Sequence, residues 1–253
     1  MSTPPGMGKP RTLRQLLCSP LNDSGLGPSI TERVRLAVTM ATAVLYVHAA
    51  KLVHKNIRPE NVLLFEGLSD ANDSYSVYPH RLGTAVLMGF DFVRFDANKS
   101  LAGTRVESGN WEKNIYMHPG RQGEYTEVSY NMLHDIYSLG VVLLEIALWK
   151  TFVVEDVSVH GIIYNPNPQV YLFHNYETKR PKRPEEIQAA LIQTAKDFIP
   201  MSLGEKYRDV VLMCLNSLEG SFEGTEGMRD VDGIIVGLVF IQKVLGGLKE
   251  ISV

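Results

Sequence analysis

LVHKNIRPENVLLF, residues 52–65, places His54, Asn56, Arg58 and Asn61 in a short polar loop between two apolar runs. Upstream, Ser29-Ile-Thr-Glu32 has the form of a capping box, in which the serine hydroxyl takes an orphan amide and the glutamate reaches back. Val34, Val38, Ala41, Leu45 and His48 then follow at helical spacing, so a helix with one buried stripe is expected to run to about Ala50. Downstream, NVLLF (Asn61 to Phe65) and AVLMGF (Ala85 to Phe90) are short runs rich in strand formers, which predicts a strand pair. The connection from Glu66 to Thr84 contains SDANDSYS and is long for a hairpin, so it is expected to be a surface insertion.

From Asp96 to Gln122 no period is sustained, and Gly103, Gly109, Pro119 and Gly120 punctuate the stretch, predicting a long irregular loop. The most apolar segment, IYSLGVVLLEIALW, predicts a buried helix over 135–149, because it is shorter than the roughly 20 residues of a membrane span and carries Glu145. YNPNPQVY and KRPKRP read as loops, since proline removes a donor and restricts the residue before it. Further helices are expected over about 185–198, 206–218 and 229–250, the first opened by Pro184-Glu-Glu. This order predicts an α+β, mostly α fold: a disordered tail over 1–11 and one domain over 12–253.

The chain has 253 residues with 45% hydrophobic and 21% charged, enough for a sizeable core. Its net charge of -3 gives no basic footprint for nucleic acid or an anionic membrane, so a protein partner or a small ligand is expected. Cys18 and Cys214 lie far apart and form neither a disulfide framework nor a thiolate zinc site. The opening MSTPPGMGKP lacks the apolar run of a signal peptide, so a cytoplasmic location is expected. The seven histidines show no metal-ligand spacing, and no metal is expected from them.

The loop resembles the catalytic loop of protein kinases, H-R-D-x-x-x-x-N with Pro-Glu before the final Asn, here His54-Lys55-Asn56-Ile57-Arg58-Pro59-Glu60-Asn61. HDIYSLGVVLLEI is similar to the buried helix that follows the kinase activation segment, and IYMHPG stands where kinases carry A-P-E. The resemblance covers roughly residues 12–250 and implies the C-terminal lobe of a protein kinase, with Asp135 anchoring the loop from below. The wording NIYMHPGRQG and LHDIYSLGVVLLEIALWK also resembles fungal kinase-like domains of incompatibility and cell-death proteins.

Measured against that resemblance, the aspartate that acts as base is Asn56, whose amide accepts no proton. The metal-binding D-F-G aligns with Gly89-Phe90-Asp91; a register shifted by two makes Asp91-Phe92-Val93 the motif and restores a carboxylate. Gly120 replaces the glutamate of A-P-E, and Lys55 and Arg58 exchange the usual arginine and lysine. Only 53 residues precede His54, without a glycine-rich loop, so the N-terminal lobe is expected to be absent. The resemblance thus implies a pseudokinase-type protein-interaction module with no cofactor. The alternative is an atypical or truncated ATP-dependent serine/threonine kinase, in which Asn61 and Asp91 would hold ATP and magnesium.

Overall fold

The computed structural model describes residues 7–67, 77–95, 111–122, 130–158, 161–167, 182–219 and 234–251. A strand, β1 (Met7–Thr12), occupies half of the expected N-terminal tail; residues 1–6 lie outside the described residues. It tolerates Pro10 because it is an edge strand. Thr12 ends it and caps α1 (Leu13–Leu17): its hydroxyl accepts the Gln15 amide at 3.1 Å, and the Gln15 side chain accepts the Thr12 amide at 2.9 Å.

Ser29 caps α2 (Ile30–Ala49), accepting the Glu32 amide at 3.3 Å. The other half of the expected box does not form. Glu32, buried, pairs instead with Arg35 at 2.6 Å and Arg81 at 3.1 Å and accepts the Leu82 amide at 2.8 Å, tying α2 to the connection inside the next hairpin. That hairpin is the expected strand pair: β3 (Val62–Gly67) runs antiparallel to β4 (Thr84–Leu87), with Val62 opposite Leu87 and Phe65 opposite Thr84. β1 adds to the other edge of β3, giving the order β1-β3-β4, while β2 (Leu52–Val53) pairs with β5 (Arg94–Phe95). The core of the expected insertion, 68–76, lies outside the described residues, as does 96–110 of the expected loop. The rest of that loop is not wholly irregular, because Trp111–Asn114 form a helical turn, α3.

α4 (Met132–Leu148) begins three residues before the expected boundary because Asn131 caps it, with its side chain accepting the Leu133 amide at 3.1 Å. Every residue from His134 to Ala147 is buried. Gly140 has a packing reason: a Cβ there would come within 2.6 Å of the Cys214 Cβ. β6 (Val153–Ser158) and β7 (Gly161–Pro166) form a hairpin where loop was expected at Tyr164 to Pro166; the adjoining 168–171 lie outside the described residues. α5 (Pro184–Leu203) runs through Pro200, five residues beyond its expected end, and α6 (Glu205–Leu215) stops at Leu215. Residues 179–181 of KRPKRP are outside the described residues. α7 (Ile234–Lys249) packs on α2, and residues 229–233 of its expected start are likewise undescribed. The fold is mostly helical with small antiparallel sheets, α4 at its centre packed by α2, α5, α6 and α7. No helix among the described residues is long and apolar enough to cross a membrane.

Candidate functional site

α2, β2 and α4 together position the loop. Asp135, in the first turn of α4 and fully buried, accepts the His54 amide at 2.7 Å through Oδ2 and the Lys55 amide at 2.8 Å through Oδ1. The Tyr130 hydroxyl donates to Oδ1 at 2.7 Å, and His48 Nε2 lies 3.2 Å from Oδ2. Burial alone would raise the pKa of Asp135; the hydrogen bonds from His48, Tyr130 and the His54 amide outweigh it and hold the carboxyl below its ordinary value. With its amide committed, Lys55 sits at φ 66°, in the left-handed region, and its ammonium lies 5.1 Å from the centre of the Tyr130 ring.

The His54 ring is buried and meets Phe90 edge-on at 4.7 Å. Burial lowers its pKa, so at neutral pH it packs as an uncharged ring. Its Nδ1 accepts the Asn56 amide at 3.3 Å. Asn61 Nδ2 donates to the Asn56 carbonyl at 2.7 Å, and the Asn61 carbonyl accepts the Met88 amide at 2.7 Å, so the loop is tied across its own width and to β4's end. Arg58 stands half-buried, its Nε without a hydrogen-bond partner among the described residues.

Gly89 adopts φ 85°, and a Cβ on it would lie 2.6 Å from Asn61 Cγ. A side chain here needs a left-handed backbone and a displaced Asn61 amide, which disfavours the aspartate that the register with Gly89 first would require. Asp91 is exposed on the single 3-10 turn that follows. Gly89→Asp is expected to cost about 2 to 3 kcal/mol, from the left-handed backbone and the loss of the Asn61–Asn56 bond. A urea midpoint unchanged from the parent would show that Asn61 moves aside without loss.

One group that the sequence reasoning missed lies beneath Pro59-Glu60. Arg14, on α1 and 1% exposed, donates from Nη2 to Glu60 Oε1 at 3.0 Å and to the Tyr116 hydroxyl at 2.9 Å; its Nη1 reaches Thr151 Oγ1 and the Val153 carbonyl. Glu145 completes the cluster, accepting the Tyr116 hydroxyl at 2.9 Å and the Phe152 amide at 2.7 Å. Burial pushes the Glu145 carboxyl up to about 7, against the pull of Arg14. Nothing local in LRQLL marks its arginine for burial, because Glu60 is 46 positions away and Tyr116 is 102. A cavity of about 430 Å³ adjoins the end of α1, lined by Cys18, Asn22, Trp149, Lys150 and Thr151 and by none of the loop residues. No group of three or more His, Cys, Asp or Glu among the described residues is placed to hold a metal ion.

No protein-family model matches the chain. It is 31% identical over 117 residues to the serine/threonine-protein kinase ATG1 of Eremothecium gossypii, covering 44% of the chain and 11% of that protein. It is 31% identical over 127 residues to the MAP kinase kinase MKK1/SSP32 of Saccharomyces cerevisiae, covering 49% of the chain and 20% of that protein. A similar match, 30% over 124 residues and 20% of the relative, is to the mitogen-activated protein kinase kinase mkk2 of Aspergillus fumigatus. The chain thus spans only about a tenth to a fifth of these relatives' own length. Over a little under half of its length, the chain is similar to protein kinases.

Proposed function

We propose that this chain is a non-catalytic protein kinase-like module, corresponding to the C-terminal lobe alone and acting by contact with a protein partner in the cytoplasm. The observation that carries the reading is the combination of Asn56 and Gly89: the loop offers an amide where a proton acceptor is needed, and at Gly89 a side chain would have to push Asn61 aside. Magnesium-ATP does not fit this set. Asn61, its Nδ2 held by the Asn56 carbonyl, would offer magnesium only its neutral Oδ1, Asp91 is exposed, and Arg58 by itself gives one cation to a strongly hydrated ligand.

The second reading, an atypical ATP-dependent serine/threonine kinase completed by a β-rich lobe from elsewhere, is favoured by the similarity to a serine/threonine-protein kinase and a MAP kinase kinase. Its metal carboxylate would be Asp91. Purified chain, incubated with labelled ATP, magnesium or manganese and generic protein substrates, is expected to transfer no phosphate above a buffer control. In parallel, millimolar magnesium-ATP is expected to leave the melting temperature unchanged, because stabilisation reaches about 2.7 kcal/mol only when ligand is 100 times Kd. A magnesium-dependent shift abolished by Asp91→Ala, or turnover abolished by Asn56→Ala, would replace the first reading with the second.

A further inference from the structure

At the N-terminal end of α4, two histidines pack together that neither the loop nor the Arg14 cluster uses. His134, 2% exposed, accepts the Asn131 amide on Nδ1 at 3.1 Å, and the Tyr130 ring stacks on it at 4.9 Å. His118, from the turn after α3, stands edge-on to His134 at 6.0 Å and to Tyr137 at 5.2 Å. Its Nδ1 accepts the Gly120 amide at 3.1 Å, which assigns the remaining proton to Nε2, a buried atom with no hydrogen-bond partner among the described residues.

The surroundings favour neutral rings on balance, although Asn131 Oδ1 lies 2.8 Å from His134 Nδ1 and would accept a proton placed there. Arg121, from His118's own turn, lies 5.9 Å from the centre of the Tyr130 ring, with Lys55 of the loop on the same ring. From α4 the facing carboxylate is Asp135, already accepting the His54 and Lys55 amides and the Tyr130 hydroxyl, with His48 of α2 against its other edge. The acid acting on His118 is Glu219, just beyond α6. Burial lowers the pKa of both histidines, that of His134 to about 3, with His118 and Arg121 pushing the same way and Asp135 opposing.

We propose that His118 and His134 form a proton-sensitive latch, which holds the segment 111–122 against α4 while both rings are neutral and releases it when they take up protons. The segment is the part that yields. α4 is buried along its length, whereas the segment is short and docks through Ile115, Tyr116 and the His118 ring, with Ser138 Oγ donating to the Tyr116 carbonyl at 2.7 Å. Farther along α4, the Tyr116 hydroxyl donates to Glu145 and favours its ionised form against the burial that raises its pKa, so this contact too weakens when the carboxyl takes up a proton.

The sign for the histidines follows from their lowered pKa: the released state binds more protons, so docking is complete above about pH 6.5 and is lost as pH falls toward 3. Taking His134 alone, release at pH 5 is favoured about 30-fold over pH 7.5. The test is amide hydrogen exchange at pH 7.5 and 5.0, corrected for intrinsic rates. Protection of residues 111–122 is expected to fall at least 10-fold at pH 5.0 while α2 keeps its own. The variant His134→Gln, which retains an acceptor at the third position of α4, with His118→Asn, which retains one for the Gly120 amide, is expected to remove the loss. Equal protection at both pH values, an equal loss in the double variant, or a parallel loss across α2 would each overturn the latch. Should the double variant fail to fold, NMR titration of the parent's imidazoles decides. Both are expected to titrate below pH 6.5 together with segment opening, and titration near 6.5 without opening would overturn the proposal.

Discussion

Arg14→Ala is expected to destabilise the chain by about 3 to 5 kcal/mol, the range for breaking a buried ion pair from one side. At this chain length that corresponds to a melting temperature lower by roughly 10 °C. The substitution deletes a cation that joins α1, the Pro59–Asn61 turn, Tyr116 and the start of β6, and it strands Glu60 and Glu145 without a counter-charge. The carboxylates of the cluster, together with the Tyr116 phenol, hold the Arg14 pKa above its ordinary value despite burial. The penalty also depends on pH. A carboxyl whose folded pKa is raised contributes stability below its unfolded value of about 4.5 and loses it as pH rises through about 7. Without Arg14 the ionised form is disfavoured further, so the loss measured by urea denaturation is expected to be larger at pH 8 than at pH 5.5. Adding Glu145→Gln is expected to return part of the stability and to flatten that dependence. A variant that melts with the parent at both pH values would show that the cluster is not coupled to the fold.

What could be read from the amino-acid pattern, and what could not, divides along contact distance. α2 and α4 were legible because an apolar stripe or an unbroken apolar run has one compact solution, and caps such as Ser29 act within a turn. The turn of the Glu32 carboxylate away from its helix cap was not legible, since Arg81 and Leu82 meet it only through the tertiary fold. β1 carries no alternating pattern and includes Pro10; it is a strand because the edge of β3 supplies partners from Leu63 to Gly67. The β6–β7 hairpin was hidden by the prolines at its end, although Asn165 pairs opposite Val154. In the candidate site the spacing of His54, Asn56, Arg58 and Asn61 was plain in the sequence, whereas the reason for Gly89 was not. That reason is a backbone at φ 85° pressed against Asn61, a property of three dimensions.

Asp135→Ala is expected to cost about 4 kcal/mol and to change the loop rather than the helices. Each oxygen of this buried carboxylate has more than one claim on it: the His54 amide and His48 on Oδ2, the Lys55 amide and Tyr130 hydroxyl on Oδ1. An amide or hydroxyl left buried and unpaired costs about 1 to 3 kcal/mol, and water cannot replace the lost partner where Asp135 is fully enclosed. Lys55 loosens the loop while offsetting part of the loss, because its left-handed backbone carries about 1 to 2 kcal/mol of strain for a residue with a side chain, which relaxes once its amide is no longer held. α4 itself is capped by Asn131 and does not need the carboxylate, so far-UV circular dichroism is expected to stay near that of the parent while the urea midpoint falls. Asp135→Asn separates shape from chemistry: it fills the same volume but offers one acceptor oxygen and turns two donors toward groups that are themselves donors. Its destabilisation is therefore expected to approach that of the alanine variant. An asparagine variant as stable as the parent would show that the loop needs only the volume at position 135. A large loss would show that the charge is kept for the loop's architecture, which requires no phosphate transfer for the arrangement to persist.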